Sequence, residues 1–200
     1  MQTLLVGIAI ACSAQAPVNG YLDYLDAAKE MRVPRVSALA LAANKPEAGL
    51  AEQRALSEAT GRARLLIELG NGRPLQPPHS FDRMDELFPE LASFRSVVRM
   101  LCAHASVQFA DGKPDHGTDT LLTALTFSQR ISVGPLIFDL VSVASTSVVL
   151  AEFERQLPRL SLAGTKRVQA AVAEYLAKPP SIAGAMQKEA AFAKSALELF

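Results

Sequence analysis

Between Val133 and Phe153 the chain reads VGPLIFDLVSVASTSVVLAEF, the longest nearly uncharged run beyond the N-terminus. Gly134 is a natural break, and Pro135 suits the first turn of a helix, where its missing N–H costs nothing. At about 100° per residue, Ile137, Leu140, Val141, Ala144, Val148 and Ala151 fall on one face, which meets no polar residue until Arg155. The other side mixes Phe138, Val143 and Val149 with Asp139, Ser142, Ser145, Thr146 and Ser147. A helix that is apolar or small nearly all round belongs in a core, so the stretch predicts a buried helix at 134–155 against which its neighbours pack. A membrane span is the alternative, since about 20 mostly apolar residues suffice. Asp139 argues against it, because a carboxylate near a bilayer centre costs about 2.5–3.5 kcal/mol.

The rest of the chain falls into helical segments around this one. Residues 21–31 carry apolar positions at helical spacing, with Asn19 as the cap and Pro34 as the stop. A short helix over 36–43 precedes the break at Asn44-Lys45-Pro46. Residues 47–69 read as one long helix, in which Gly61 costs about 1 kcal/mol relative to alanine and marks a kink. The run GNGRPLQPPHS at 70–80 cannot sustain a helix or a central strand. It reads as an ordered surface loop, with an internal domain boundary as the alternative. Further helices are expected over 81–88, 90–110, 116–131, 162–177 and 182–200, the last two capped by Ser161 and Ser181. No stretch alternates as a strand does. The fold class is therefore all-α, a single helical domain over 17–200 built of antiparallel hairpins in an array or irregular bundle of about eight helices.

The first sixteen residues, MQTLLVGIAIACSAQA, have the apolar core and Ala-x-Ala ending of a secretory signal peptide. No Lys or Arg precedes the apolar run, and Pro17 follows the cleavage position. Ala9-Ile10-Ala11-Cys12 also allows lipidation at Cys12. The expected location is exported, periplasmic or cell envelope. The alternative is a cytoplasmic protein with a buried N-terminal helix. Contact with a membrane is expected only through this segment. Lys and Arg equal Asp and Glu at 20 each, so charge offers no attraction to nucleic acid. With 50% hydrophobic residues and no Trp, packing must rest on aliphatic side chains and alanine. The two cysteines, Cys12 and Cys102, do not make a disulfide scaffold. Cys102 lies on an apolar helix and reads as a small buried hydrophobe.

The pair of helices at 91–110 and 117–131 resembles a tetratricopeptide unit. Leu101 and Ala105 stand at the packing positions of its first helix, Gly112 in the turn, and Gly117, Leu121 and Ala124 in the second. His104 and Gln108 depart from the pattern. Phe88 to Phe200 resembles a group of uncharacterised exported all-helical proteins of environmental bacteria. The resemblance is carried by Phe88-Pro89, Asp111-Gly112, Gly134-Pro135-Leu136-Ile137, Leu160-Ser161, Glu189 and Phe192, with Asn19-Gly20-Tyr21 after the signal. It implies fold and export, and no activity. Members often run longer, so Phe200 reads as a truncation.

Chemistry-bearing motifs are sparse. His79, His104 and His116 lack metal spacing, and no paired-cysteine, phosphate-loop or nucleophile-elbow motif occurs. Asp115-His116-Gly117-Thr118-Asp119 offers ligand atoms, yet Asp115 reads more simply as a helix cap. No cofactor and no metal are expected. Two acids stand on apolar stripes, Asp139 and Glu189. Such carboxylates are usually paired or at a rim, and otherwise mark a functional acid. The leading expectation is a non-catalytic scaffold that holds a protein or peptide partner in a helical groove. An enzyme with a helical-bundle site around Asp139 and Glu189 is the second reading. A purely structural fragment of a longer chain is the third.

Overall fold

The computed structural model describes residues 18–45, 48–79, 81, 88–177 and 182–197. The N-terminal segment with Cys12, the helix expected inside 81–88 and the Ser181 cap lie outside them. Every regular element among the described residues is helical, so the fold is all-α.

Helix α1 (Gly20–Met31) starts where Asn19 predicts, with Asn19 Oδ1 accepting the Tyr21 N–H at 3.0 Å. Pro34 does not merely end this segment. It occupies the first turn of α2 (Pro34–Ala43), where a proline needs no N–H partner. The single helix expected over 47–69 is two helices, α3 (Leu50–Ala59) and α4 (Gly61–Asn71). Thr60 breaks them at φ −116°, ψ 23°. Its hydroxyl donates to the Leu56 carbonyl at 2.8 Å, and Arg64 donates to that of Ser57. The carbonyls freed by the break are thus satisfied. The break lets α3 pack on α2 and α5 while α4 packs on α1 and α6.

Helix α5 (Glu90–Ala110), not the 134–155 helix, is the hub: it touches α1, α2, α3, α6 and α7. It turns into α6 (Pro114–Arg130) through Gly112, whose φ of +72° lies in the left-handed region that favours glycine. Helix α6 begins two residues before the expected start, so Asp115 sits in its first turn rather than at its cap. Leu101 and Ala105 on α5 and Gly117, Leu121 and Ala124 on α6 are all buried, and the Phe109 ring of α5 lies against Gly117. Tyr21, Phe94, Phe127 and Tyr24 stack edge to face through this centre, with centroids 5.9, 5.6 and 4.7 Å apart in that order.

The loop at 72–79 is ordered by contacts on both sides. Asn19 takes the Gln76 N–H at 3.0 Å and donates to its carbonyl at 2.6 Å. Arg73 pairs with Asp23 at 2.8 Å, Arg130 donates to the Arg73 carbonyl, and His79 meets Glu90 at 2.6 Å. Beneath it α1 and α4 approach so closely that a Cβ on Gly70 would stand 2.5 Å from the Tyr24 ring. His79 leads into a second aromatic group of Phe81, Phe88 and Phe138. Phe81 there adopts φ +55°, a conformation disfavoured for an aromatic residue.

Helix α7 (Leu136–Gln156) continues into a 3-10 turn (Leu157–Arg159). Helices α8 (Leu162–Ala177) and α9 (Ile182–Leu197) complete the described chain. Ser161 caps α8 as expected, accepting the Gly164 N–H at 2.9 Å. Helix α7 is buried on one side only, and that side is the polar one. Phe138, Val149 and Phe153 point inward together with Asp139, Ser142, Ser145, Thr146, Glu152 and Gln156. On the aliphatic face Ile137 is 45% exposed and Leu140 55%. The hydroxyl residues and Cα-close contacts of a polar side allow α7 to approach α5 and α6, while three aromatic or branched side chains fill the remaining space. The helix over Leu136–Arg159 is the one element among the described residues long and apolar enough to cross a membrane, and 44% of its apolar window is buried inside the fold.

Candidate functional site

Asp139 and Glu189 meet at one end of α7. Pro135 has no side chain with which to cap the helix, so the first free N–H groups need an acceptor from elsewhere. Glu189 on α9 supplies it, accepting the Leu136 N–H at 3.0 Å. A carboxylate is also favoured there by the helix dipole. Asp139, in the first turn of α7, accepts from the Ser132 hydroxyl and stands 3.8 Å from Lys188 Nζ on α9. Both acids therefore fasten α9 across the start of α7. Helical spacing places Ala185, Phe192, Ala196 and Leu199 on the Glu189 face, and the side chains of all four lie outside the described residues.

A groove of about 620 Å³ opens between α5, α7 and the α2–α3 connection. Its floor is one face of α5, where Arg99, Cys102, Ala103 and Ser106 recur at helical spacing. One wall is α7, through Val148, Ala151, Glu152 and Arg155; the other includes Asn44 and Lys45. Glu152 is 4% exposed, yet its charge is well provided for. Ser106 Oγ and Gln156 Nε2 each donate to Oε1 at 2.7 Å, and Arg155 holds Oε2. Burial, and secondarily the Glu152 charge, push the Cys102 thiol far above its ordinary range, so it stays protonated and unreactive. Lys45 and Arg99 have no ion-pair partner among the described residues. With Glu152 already matched by Arg155, these two cations leave the groove positive.

Sequence reasoning passed over Glu152, Arg99 and Lys45. Glu152 carried a signal in its spacing, since Arg155 and Gln156 follow at i+3 and i+4 on the same helix. The two cations carried none, because α2 and α5 meet only in the folded chain.

A third cluster lies where α3 crosses α5. Ser57 Oγ and His104 Nδ1 are 2.6 Å apart, at a cleft of about 350 Å³ that Arg54, Gln108, Asp111 and His116 also line. Burial first, and then the Arg64 charge, lower the His104 pKa to about 4. The imidazole is therefore neutral at pH 7 and a weak base for activating a serine. Because the folded pKa lies below the ordinary 6.5, the unfolded chain takes up this proton first as pH falls. Stability from His104 is thus complete above about pH 6.5 and declines toward pH 4. Thermal unfolding across that window should show the decline in the wild type and a flatter profile in His104→Asn.

The 115–119 run is used within the fold. Asp115 accepts from Ser161 Oγ at 2.6 Å, Thr118 donates to the Pro114 carbonyl at 2.8 Å, and Asp119 pairs with Arg167. No group of three or more His, Cys, Asp or Glu among the described residues is placed to hold a metal ion. Neither a protein-family model, nor a curated protein, nor a solved structure matches the chain.

Proposed function

We propose that the chain is a non-catalytic scaffold of the cell envelope that binds a peptide or protein segment in the groove between α5, α7 and the α2–α3 connection. The observation that carries this reading is the groove itself: it is open, its Glu152 is paired with Arg155, and Lys45 and Arg99 lining it have no ion-pair partner among the described residues. An acidic segment is the ligand such a surface favours. The tetratricopeptide resemblance of the α5–α6 hairpin supports the same reading, since stacked hairpins present concave binding surfaces. The contacts of Asp139 and Glu189 support it too, because both carboxylates serve to anchor α9. The envelope location rests on the apolar N-terminus and its Ala-x-Ala pattern, and the intact mass of the chain from its host checks it.

The test of binding is selection from a displayed random-peptide library against the purified chain. Peptides rich in Asp and Glu should be enriched and should lose affinity about tenfold or more on Arg99→Glu. A library that yields no Arg99-dependent peptide would end the scaffold reading.

A further inference from the structure

Much of the aliphatic face of α7 is left exposed by the described fold, at Ile137, Leu140, Ala144 and Ala151. Ile137, Leu140, Ala144, Val148 and Ala151 line it, with exposed Ser147 among them and Glu154 and Arg155 at its C-terminal end. From Ile137 to Ala151 the face runs about 21 Å along the helix axis, at about 1.5 Å per residue. It does not stop at the rim of the groove. Val148 and Ala151 belong to both, so the apolar face passes directly into the basic end formed by Arg155, Arg99 and Lys45. The two form one surface, mostly apolar along its length, with three cations and Glu154 at one end.

We infer that this surface docks an amphipathic helix of a partner protein, its apolar side on α7 and acidic residues at one end against Arg99 and Lys45. The inference rests on the scaffold reading and names the partner's class. The occupant is helical for a physical reason. The backbone of α7 is internally bonded and offers nothing to an extended strand, whose own N–H and C=O groups would be stranded on an apolar face. A helix satisfies its backbone within itself and presents apolar side chains at i, i+3, i+4 and i+7. Small residues at Ala144 and Ala151 allow the close approach that helix packing needs. The acidic end follows from charge complementarity. A second copy of this chain would bring the same cations, Lys45, Arg99 and Arg155, against the one exposed carboxylate at that end, Glu154.

The test uses a fluorescein-labelled synthetic helix of about 18 residues, with leucines at i, i+3, i+4 and i+7 and three glutamates in its first turn. Binding to the purified chain is followed by anisotropy. The acidic helix should bind saturably. Replacing its glutamates by lysine, or placing proline at its centre, should each weaken binding about tenfold or more. Leu140→Glu and Ala144→Glu in the protein should do the same, and their circular dichroism and unfolding temperature should match the wild type because both positions face solvent. Binding that survives Leu140→Glu overturns the inference. Arg99-dependent library peptides that tolerate a central proline, alongside a helix probe that fails to bind, overturn the helix and leave the scaffold standing. Sedimentation as a dimer that Leu140→Glu dissociates assigns the face to a second copy and overturns it as well. Failure of both the library and the helix removes the two readings together.

Discussion

Phe138→Ala is expected to lower the unfolding free energy by about 3–5 kcal/mol, as deletion of a buried aromatic ring does. Leu140→Ala, two residues along the same helix, should change it by no more than about 0.5 kcal/mol. The contrast comes from the orientation of α7. Phe138 is 0% exposed and stands 4.9 Å from Phe88 and 5.5 Å from Phe81, centroid to centroid. Leu140 is 55% exposed. Urea unfolding of the two variants, followed by circular dichroism, measures both values. Equal losses would mean that α7 presents its aliphatic side to the core after all, and the docking surface would vanish with it.

The second large effect is expected from Glu90→Ala, a loss of about 1–3 kcal/mol typical of leaving buried hydrogen-bonding partners without their acceptor. Glu90 is 4% exposed at the start of α5. Its Oε1 accepts from the Tyr21 hydroxyl at 3.1 Å and meets His79 Nε2 at 2.6 Å. Without the carboxylate, the Tyr21 hydroxyl loses its acceptor in a site that is 0% exposed. Tyr21→Phe alone should cost less, and the double variant should lose less than the two singles together, with a coupling of about 0.5–3 kcal/mol. Simple additivity would show that the contact carries no energy. The same variant should loosen the 72–79 loop, because His79 is one of its ties. Faster amide hydrogen exchange at Gln76, whose N–H is held by Asn19, would report that loosening.

Local chemistry made most of the helix starts legible. Asn19, Pro34, Gly112 and Ser161 act where their side chains or backbone freedom dictate, within a turn of the chain. Thr60 was less legible, because the break needs both its own hydroxyl and a guanidinium from Arg64 to hold the freed carbonyls. The orientation of α7 was not legible. A period of 3.6 residues separates its aliphatic side from its hydroxyl side, but it does not say which side meets α5. That choice rests on partners elsewhere in the chain, such as Ser106 on α5, whose hydroxyl meets Glu152 across 46 residues. The candidate acids show the same division. Their position on apolar stripes could be read, whereas their attachments, Leu136 for Glu189 and Ser132 for Asp139, come from tertiary geometry.

Ser145 Oγ, Thr146 Oγ1 and Gln156 Oε1, on the inner side of the fold, are buried with no hydrogen-bond partner among the described residues. All three belong to α7. Each such atom costs about 1–3 kcal/mol relative to its hydrated state. The adhesion of α7 is therefore a narrow difference, drawn mainly from Phe138, Val149 and Phe153 and reduced by its own polar atoms. That difference is the free-energy reserve of α7 against detachment. A ligand that covered its outer face would raise that reserve without adding one contact to the inner one, so occupancy of the surface and cohesion of the core are thermodynamically linked.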